Sequence, residues 1–231
     1  MGKPHREALF LRLTDGESYS CSLMQTSDSQ LSPQTSFEKT LILGASVSAA
    51  PVERNPAKRF LREHGFLSGA FSHASSGRPG AVVLSNLRGS QLDRASAVIA
   101  VDLMFWDSVM GLADPRESRA FLRGFFKEVA KRDLPIIIGN VPAIHPLQIH
   151  REELNEAIQR EVANHPRAAL LTLDRIFSSV IENSGIEIDG KHHSLMDLIP
   201  DGLHPGPVAS DYVAKEISCL ARDVLKLRGS A

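Results

Sequence analysis

The chain has 231 residues, of which 42% are hydrophobic and 23% charged, with 16 Gly and 13 Pro; collagen-like, coiled-coil and wholly disordered classes are set aside, and one globular domain or slightly more is the expectation. Its 26 Lys and Arg against 27 Asp and Glu leave a formal charge of −1, which supplies no basic field for gathering nucleic-acid phosphates or an anionic membrane. Two cysteines, Cys21 and Cys219, build no disulfide framework and neither sits in a C-x-x-C pair.

The early apolar run at residues 8–11 is stopped by Arg12, too short for a signal-peptide core, and no stretch reaches the roughly 18 apolar residues of a membrane span. A soluble protein, cytoplasmic by default, is the expectation. Residues 14–38 are dominated by Ser, Thr, Asp, Gln and Glu without helical or strand period, so residues 1–38 read as a partly irregular lead-in and residues 39–231 as the main domain.

Five short apolar runs follow, at residues 40–43, 81–84, 97–101, 134–138 and 169–173. Each has the length and punctuation of a buried strand. Between them, Phe121, Leu122, Phe125, Phe126 and Val129 make one apolar stripe on a helix begun by Pro115, and Val208, Tyr212, Val213, Ile217, Leu220 and Val224 make another near the end. Strands apolar throughout, alternating with amphipathic helices, predict an α/β fold: a three-layer α/β/α sandwich around a mostly parallel five-stranded sheet. Sites on such sheets lie outside the carboxyl ends of the strands, so the residues after each run hold the candidates.

After the first run comes Gly44-Ala45-Ser46-Val47-Ser48, a serine flanked by small residues that a sharp turn can lift to the sheet edge. A serine nucleophile needs a base, and the base an orienting carboxylate. Asp201-Gly202-Leu203-His204-Pro205 supplies both. Asp189-Gly190-Lys191-His192 has the same spacing, but only the first pair is followed by Pro205-Gly206-Pro207 and a regular helix that can anchor it. Gly89, after residues 81–84, is a candidate oxyanion donor, with ordinary turn chemistry as the alternative. Trp106 and Asp107, after the third run, are candidates for a pocket wall, or else for an aromatic plug beside a helix N-cap. Asn140 follows the fourth.

In these blocks and their order the sequence resembles the SGNH hydrolases, or GDSL-type esterases and lipases, over about residues 39–221. Gly44-Ala45-Ser46 resembles the nucleophile block, Gly89 the glycine block and Asp201-x-x-His204-Pro205 the C-terminal block. The resemblance implies a flavodoxin-like fold, Ser46 as nucleophile, His204 as base, Asp201 as its partner, and the N–H groups of Ser46 and Gly89 as oxyanion donors. It implies hydrolysis of an acyl ester, a small-molecule, lipid or carbohydrate ester, with no metal and no organic cofactor. Two positions depart from the family pattern: Ala45 replaces its Asp between Gly and Ser, and Trp106-Asp107 replaces its Asn-Asp, removing a side-chain amide donor. Asn140 is the candidate to replace that donor. A non-catalytic binding domain, an acyltransferase and a nucleotide- or flavin-binding domain are the alternatives on the same architecture.

Residues 185–191 match seven positions of a phosphate-binding loop, but His192 stands where Ser or Thr is required. Ile186 and Ile188 alternating with acids before Asp189-Gly190 predict a short hairpin instead. His192 and His193 near Asp197 read as solvent-exposed residues rather than a metal site.

Overall fold

The computed structural model describes residues 34–226. A first short helix, α1 (Gln34–Phe37), lies within the expected irregular lead-in; residues 1–33 of that segment, with Cys21, fall outside the described residues. β1 (Thr40–Gly44) follows, buried along its whole length. Next come α2 (Ser46–Ala49), α3 (Pro56–Glu63), β2 (Phe71–Ala74), α4 (Gly80–Ser85), α5 (Gly89–Arg94) and β3 (Ala97–Ala100). The second half runs α6 (Pro115–Lys131), β4 (Ile136–Gly139), α7 (Arg151–Ala163), β5 (Ala168–Leu171), α8 (Leu173–Glu182), the pair β6 (Gly185–Ile188) and β7 (Lys191–Ser194), α9 (Leu195–Leu198) and α10 (Pro207–Lys226).

Five strands pair all-parallel in the order β2-β1-β3-β4-β5, the flavodoxin-like order, whose switch point lies between β1 and β3. Side chains on a strand alternate between faces. Ile42, Ile99 and Ile137 accordingly enter one core with Phe60 of α3, Phe177 of α8 and Val213 and Ile217 of α10. Leu41, Leu43, Val98, Ile136 and Ile138 enter the other, with Val83 of α4, Leu92 of α5 and Leu122, Phe125 and Phe126 of α6. The expected three layers follow from burial on both faces, which is why β1, β3 and β4 are apolar runs rather than alternating ones.

Two of the five expected strands are placed differently. Residues 81–84 are not a strand: they belong to helix α4, whose first N–H groups, on Gly80 and Ala81, are taken by the Asp107 carboxylate. A four-residue apolar run does not by itself separate strand from buried helix, and that carboxylate is a helix-start partner. The second strand is instead β2, Phe-Ser-His-Ala, a half-exposed edge strand paired only with β1. The fifth strand is displaced slightly, ending at Leu171 with Leu173 already in α8.

The predicted hairpin forms as β6–β7, antiparallel, with Asp189 and Gly190 at φ +52° and +75° in the turn, the positive pair that a two-residue hairpin loop favours. Among the described residues no helix is long and apolar enough to cross a membrane.

Candidate active site

Gly44 ends β1 and the chain turns at once into α2. A Cβ on Gly44, at φ +153°, would overlap Asp102 Oδ1 and Ser48 Oγ, so glycine is what lets this turn close. The carboxylate beside it comes from the residue two positions after β3, the neighbouring strand. Asp102 accepts from the N–H groups of Ala45 (3.0 Å), Val47 (2.7 Å) and Ser48 (3.3 Å) and from the Ser48 hydroxyl (2.6 Å). Of four consecutive N–H groups, it leaves only that of Ser46 unclaimed. Burial pushes the Asp102 carboxyl above its ordinary range, against the pull of these four donors.

The far end of α2 is held by Asn55. Its amide donates to the Ser48 carbonyl (2.9 Å) and its Oδ1 accepts from Lys58 N at the start of α3 (3.0 Å). The serine turn is therefore fixed by side chains just after β3 and at the cap before α3, neither of which belongs to the local motif.

His204 comes to this turn from the loop before α10, 158 positions along the chain. Asp201 builds that loop: its Oδ1 accepts from the N–H groups of Leu203 (3.1 Å) and His204 (2.6 Å), with Gly202 at φ +73° completing the reversal. Its Oδ2 lies 3.0 Å from His204 Nδ1 and 3.1 Å from Arg54 Nη2. The other ring nitrogen, Nε2, lies 3.0 Å from Ser46 Oγ. Burial pushes Asp201 upward, but the two backbone N–H groups, the imidazole and Arg54 outweigh it and hold the carboxyl well below the usual carboxylate range. An ionised Asp201 accepts only, so Nδ1 carries its proton towards it, and Nε2 is left to accept from Ser46 Oγ–H.

Ser46, His204, Asp102 and Asn140 supply the polar side chains around a cavity of about 40 Å³ that runs between the carboxyl ends of β3 and β4 and the helices α8 and α10. Asn140 is 2% exposed, and its amide is engaged with Asp174: Oδ1 accepts from the Asp174 N–H at 3.0 Å and Nδ2 donates to the carboxylate, fastening the start of α8.

The other candidates lie elsewhere. Gly89 opens α5, and a Cβ there would meet Arg132 Nη2 at 3.5 Å. Arg132 precedes β4, so Gly89 lies towards the amino end of the sheet, in a groove with Leu84, Leu87 and Phe121; because residues 81–84 are helical, it follows no strand. Asp107 is fully buried and accepts from Gly80 N, Ala81 N (2.9 Å) and Ser118 Oγ (2.6 Å), which makes it a helix-start and core partner rather than a pocket wall. Trp106 packs edge-on against Phe105 and His145 and does not line the cavity; the cavity wall from this segment is Met104 and Phe105.

Sequence reading passed over Arg54, Asn55 and the bracing role of Asp102. Asp102 carries a readable signal: it directly follows the buried apolar run at residues 97–101, and small Gly44 and Ser48 leave room for it. Its use depends on β1 and β3 being neighbours, which is a property of the sheet order.

No family model matches the sequence, and no curated protein does. Solved structures do match. An esterase, EstA, from Pseudoalteromonas sp., in a form inhibited by monoethylphosphonate, is 16% identical with a TM-score of 0.58 over 81% of this chain and 98% of its own. A lipase/acylhydrolase from Enterococcus faecalis is 17% identical with a TM-score of 0.59, over 81% and 95%. A GDSL-like lipase from Bacteroides thetaiotaomicron is 14% identical with a TM-score of 0.53, over 85% and 92%. With the sheet order, the serine turn after β1 and the Asp-x-x-His loop before the last helix in the same positions along the chain as the resemblance implied, the protein has the fold of the SGNH, or GDSL-type, esterases and lipases.

Proposed function

We propose that the protein is a serine esterase, hydrolysing carboxylic esters through an acyl-enzyme with Ser46 as nucleophile, His204 as general base and acid, and Asp201 as the group that orients the imidazole. The observation that carries this reading is the relay Ser46 Oγ to His204 Nε2 at 3.0 Å and His204 Nδ1 to Asp201 Oδ2 at 3.0 Å, within the distances expected of a nucleophile and its base.

Ser46 Oγ attacks the ester carbonyl carbon as its proton passes to His204 Nε2. The tetrahedral oxyanion collapses, the bond to the alcohol oxygen breaks, and the proton on Nε2 leaves with the alcohol. Water then enters, gives a proton to Nε2 and attacks the acyl carbon, and collapse returns the proton to Ser46 Oγ as the acid departs. Ionised Asp201 stabilises the imidazolium in both halves. The Ser46 N–H, the one group of its turn that Asp102 does not take, is the assigned oxyanion donor.

One observation favours a second reading, an acyl-binding domain of low turnover. Trp106 stands where the resemblance implies an amide donor, and the Asn140 amide is already bonded to Asp174; loss of one such donor typically lowers kcat by roughly 10²–10³-fold. Labelling by a fluorophosphonate is expected on Ser46 and absent in Ser46→Ala, and the same substitution is expected to abolish hydrolysis of p-nitrophenyl butyrate. Turnover retained by Ser46→Ala overturns the mechanism; labelling of Ser46 with negligible turnover selects the second reading.

A further inference from the structure

Two loops that wall the cavity run on into an exposed apolar surface. Met104 and Phe105 after β3, and Val141 and Ile144 after β4, line the cavity. A few residues further, the same loops carry Met110, Leu112, Leu147 and Ile149, which are 46–60% exposed. Four of the seven exposed large hydrophobic residues among the described ones thus stand on two loops at the carboxyl end of the sheet, the end that holds Ser46. The other three, Val82, Ile181 and Met196, stand singly on α4, α8 and α9. Exposed hydrophobic residues scattered singly are ordinary, whereas a group of them marks a contact surface.

The exposure is built into the loops. The Met110 N–H donates to the Leu147 carbonyl (2.9 Å) and the His150 N–H to the Ser108 carbonyl (3.2 Å), which ties the two loops side by side. Gln148 is turned inward: its Oε1 accepts from the Ile144 and His145 N–H groups (3.0 and 2.8 Å), and its Nε2 donates to Ser108 Oγ (3.1 Å). The polar side chain of this segment therefore faces the protein while its neighbours Leu147 and Ile149 face out, the reverse of a water-facing surface.

Size, residue type and charge select the occupant. Four side chains about half exposed present on the order of 400 Å², against roughly 800 Å² per partner in a stable protein–protein interface. None of the four is Trp, Tyr or Arg, the types that anchor protein partners. The helices that start beside the patch, α6 and α7, bring Arg116 and Arg151 against Asp114, Glu117, Glu152 and Glu153, so an anionic lipid surface would meet an excess of acid. Aliphatic groups without a basic border suit a fluid, uncharged apolar phase, which needs no matching shape.

We infer that Met110, Leu112, Leu147 and Ile149 form a docking surface that seats the active-site end of the protein on aggregated, uncharged ester, a droplet rather than a bilayer; this rests on the reading of Ser46 as the nucleophile and adds where its substrate is met. Cavity wall and docking surface are successive parts of the same two loops, so ester leaving the aggregate is delivered beside Ser46.

The test separates docking from chemistry. The full chain is mixed with droplets of dioctyl ether, an uncharged phase without an ester bond, and the bound fraction is read after flotation. The double variant Leu147→Gln/Ile149→Gln is expected to bind the droplets at least about tenfold more weakly, while its kcat/KM on dissolved p-nitrophenyl butyrate stays within about twofold. On tributyrin, the rate of the unaltered protein is expected to rise at least about fivefold as the ester passes its solubility limit, and that of the double variant to stay near its dissolved plateau. Should the double variant fail to fold, Met110→Gln on the other loop is expected to show the same loss in smaller measure. Ile181→Gln, away from the patch, is expected to change nothing. Droplet binding that is absent, or that the patch variants do not weaken, overturns the docking surface and leaves the esterase reading standing. A dimer in light scattering that the double variant dissolves, or binding to phosphatidylserine vesicles but not to droplets, overturns it equally. If droplets bind but no ester is cleaved and Ser46 is not labelled, the esterase reading falls and takes the ester-docking role with it.

Discussion

The Ser48 hydroxyl lies 2.6 Å from Asp102 Oδ1, joining a fully buried residue of the serine turn to the end of the neighbouring strand, 54 positions away. With the Ala45, Val47 and Ser48 N–H groups on the same carboxylate, the turn needs no acid of its own at position 45. Asp102 supplies from β3 the bracing that Ala45 does not.

Asp102→Asn tests this as a positioning role. The amide keeps one acceptor oxygen but sets an N–H₂ against the N–H of Val47, so the turn must shift. Misplacing a reacting atom by about 1 Å can cost roughly 10²-fold, and kcat is expected to fall by about that factor, with KM for butyrate changed less than about threefold. Stability is expected to drop by about 1–3 kcal/mol for the acceptor lost, so activity is measured well below the variant's melting temperature. An unchanged kcat in the folded variant would remove Asp102 from the site.

Asp107 gives a pH signature. Burial raises its carboxyl above the ordinary value, only partly offset by the Ser118 hydroxyl and the Ala81 and Gly80 N–H groups. The folded protein therefore binds this proton more tightly than the unfolded chain, whose carboxyl titrates near pH ~3.9. Between that value and the raised one, stability falls as pH rises. Asp107→Asn lacks the effect. The stability advantage of the unaltered protein over Asp107→Asn is thus expected to be largest near pH 4, about 1–3 kcal/mol for the lost acceptor, and to shrink towards pH 8 in urea titrations; an advantage that grows with pH contradicts the assignment.

The contrast between these two acids and Ser46, Asp201 and His204 shows what was legible from sequence. Ser46, Asp201 and His204 stand in short local motifs with turn residues around them, and β1, β3 and β4 are apolar runs because both their faces are covered. β2 was not legible: an edge strand with one neighbour, reading Phe-Ser-His-Ala, carries little apolar signal. Residues 81–84 misled for the opposite reason, being as apolar as a central strand while forming about one turn of helix against α6. Asp102 and Asp107 occupy adjacent stretches of one loop, yet one braces the serine turn and the other starts α4. Only the packing of β1 beside β3, and of α4 beside α6, separates those roles.

Arg54 and Asp201 make an exposed pair, with side chains 42% and 45% accessible. Pairs of this kind contribute less than about 1 kcal/mol, and Asp201 keeps two backbone donors without it. Arg54→Ala is expected to lower kcat/KM less than about fivefold. The depressed Asp201 carboxyl stabilises the fold above the unfolded value of ~3.9, an effect lost as pH falls through its lower folded value, so the shape of the rate profile from pH 5 to 9 is expected to stay the same in Arg54→Ala. Asp201→Asn turns a donor towards Nδ1 and is expected to cost about 10²–10⁴-fold in kcat. Similar losses in both variants would give Arg54 a larger part than its exposure allows.

Gly89→Pro tests whether the Gly89 N–H takes part in oxyanion stabilisation. Gly89 is the first residue of α5, where proline is tolerated because the N–H it removes has no partner within the helix. Arg88 before it is extended, at φ −88° and ψ 142°, as the residue preceding a proline requires. The substitution therefore deletes the Gly89 N–H with little disturbance to the fold. With Gly89 towards the amino end of the sheet beside Arg132, kcat/KM for butyrate is expected to stay within about twofold and the melting temperature within a few degrees. A fall of roughly 10²–10³-fold in kcat, the typical cost of losing one oxyanion donor, would instead return Gly89 to the reacting centre and displace the Ser46 N–H as the sole assigned donor.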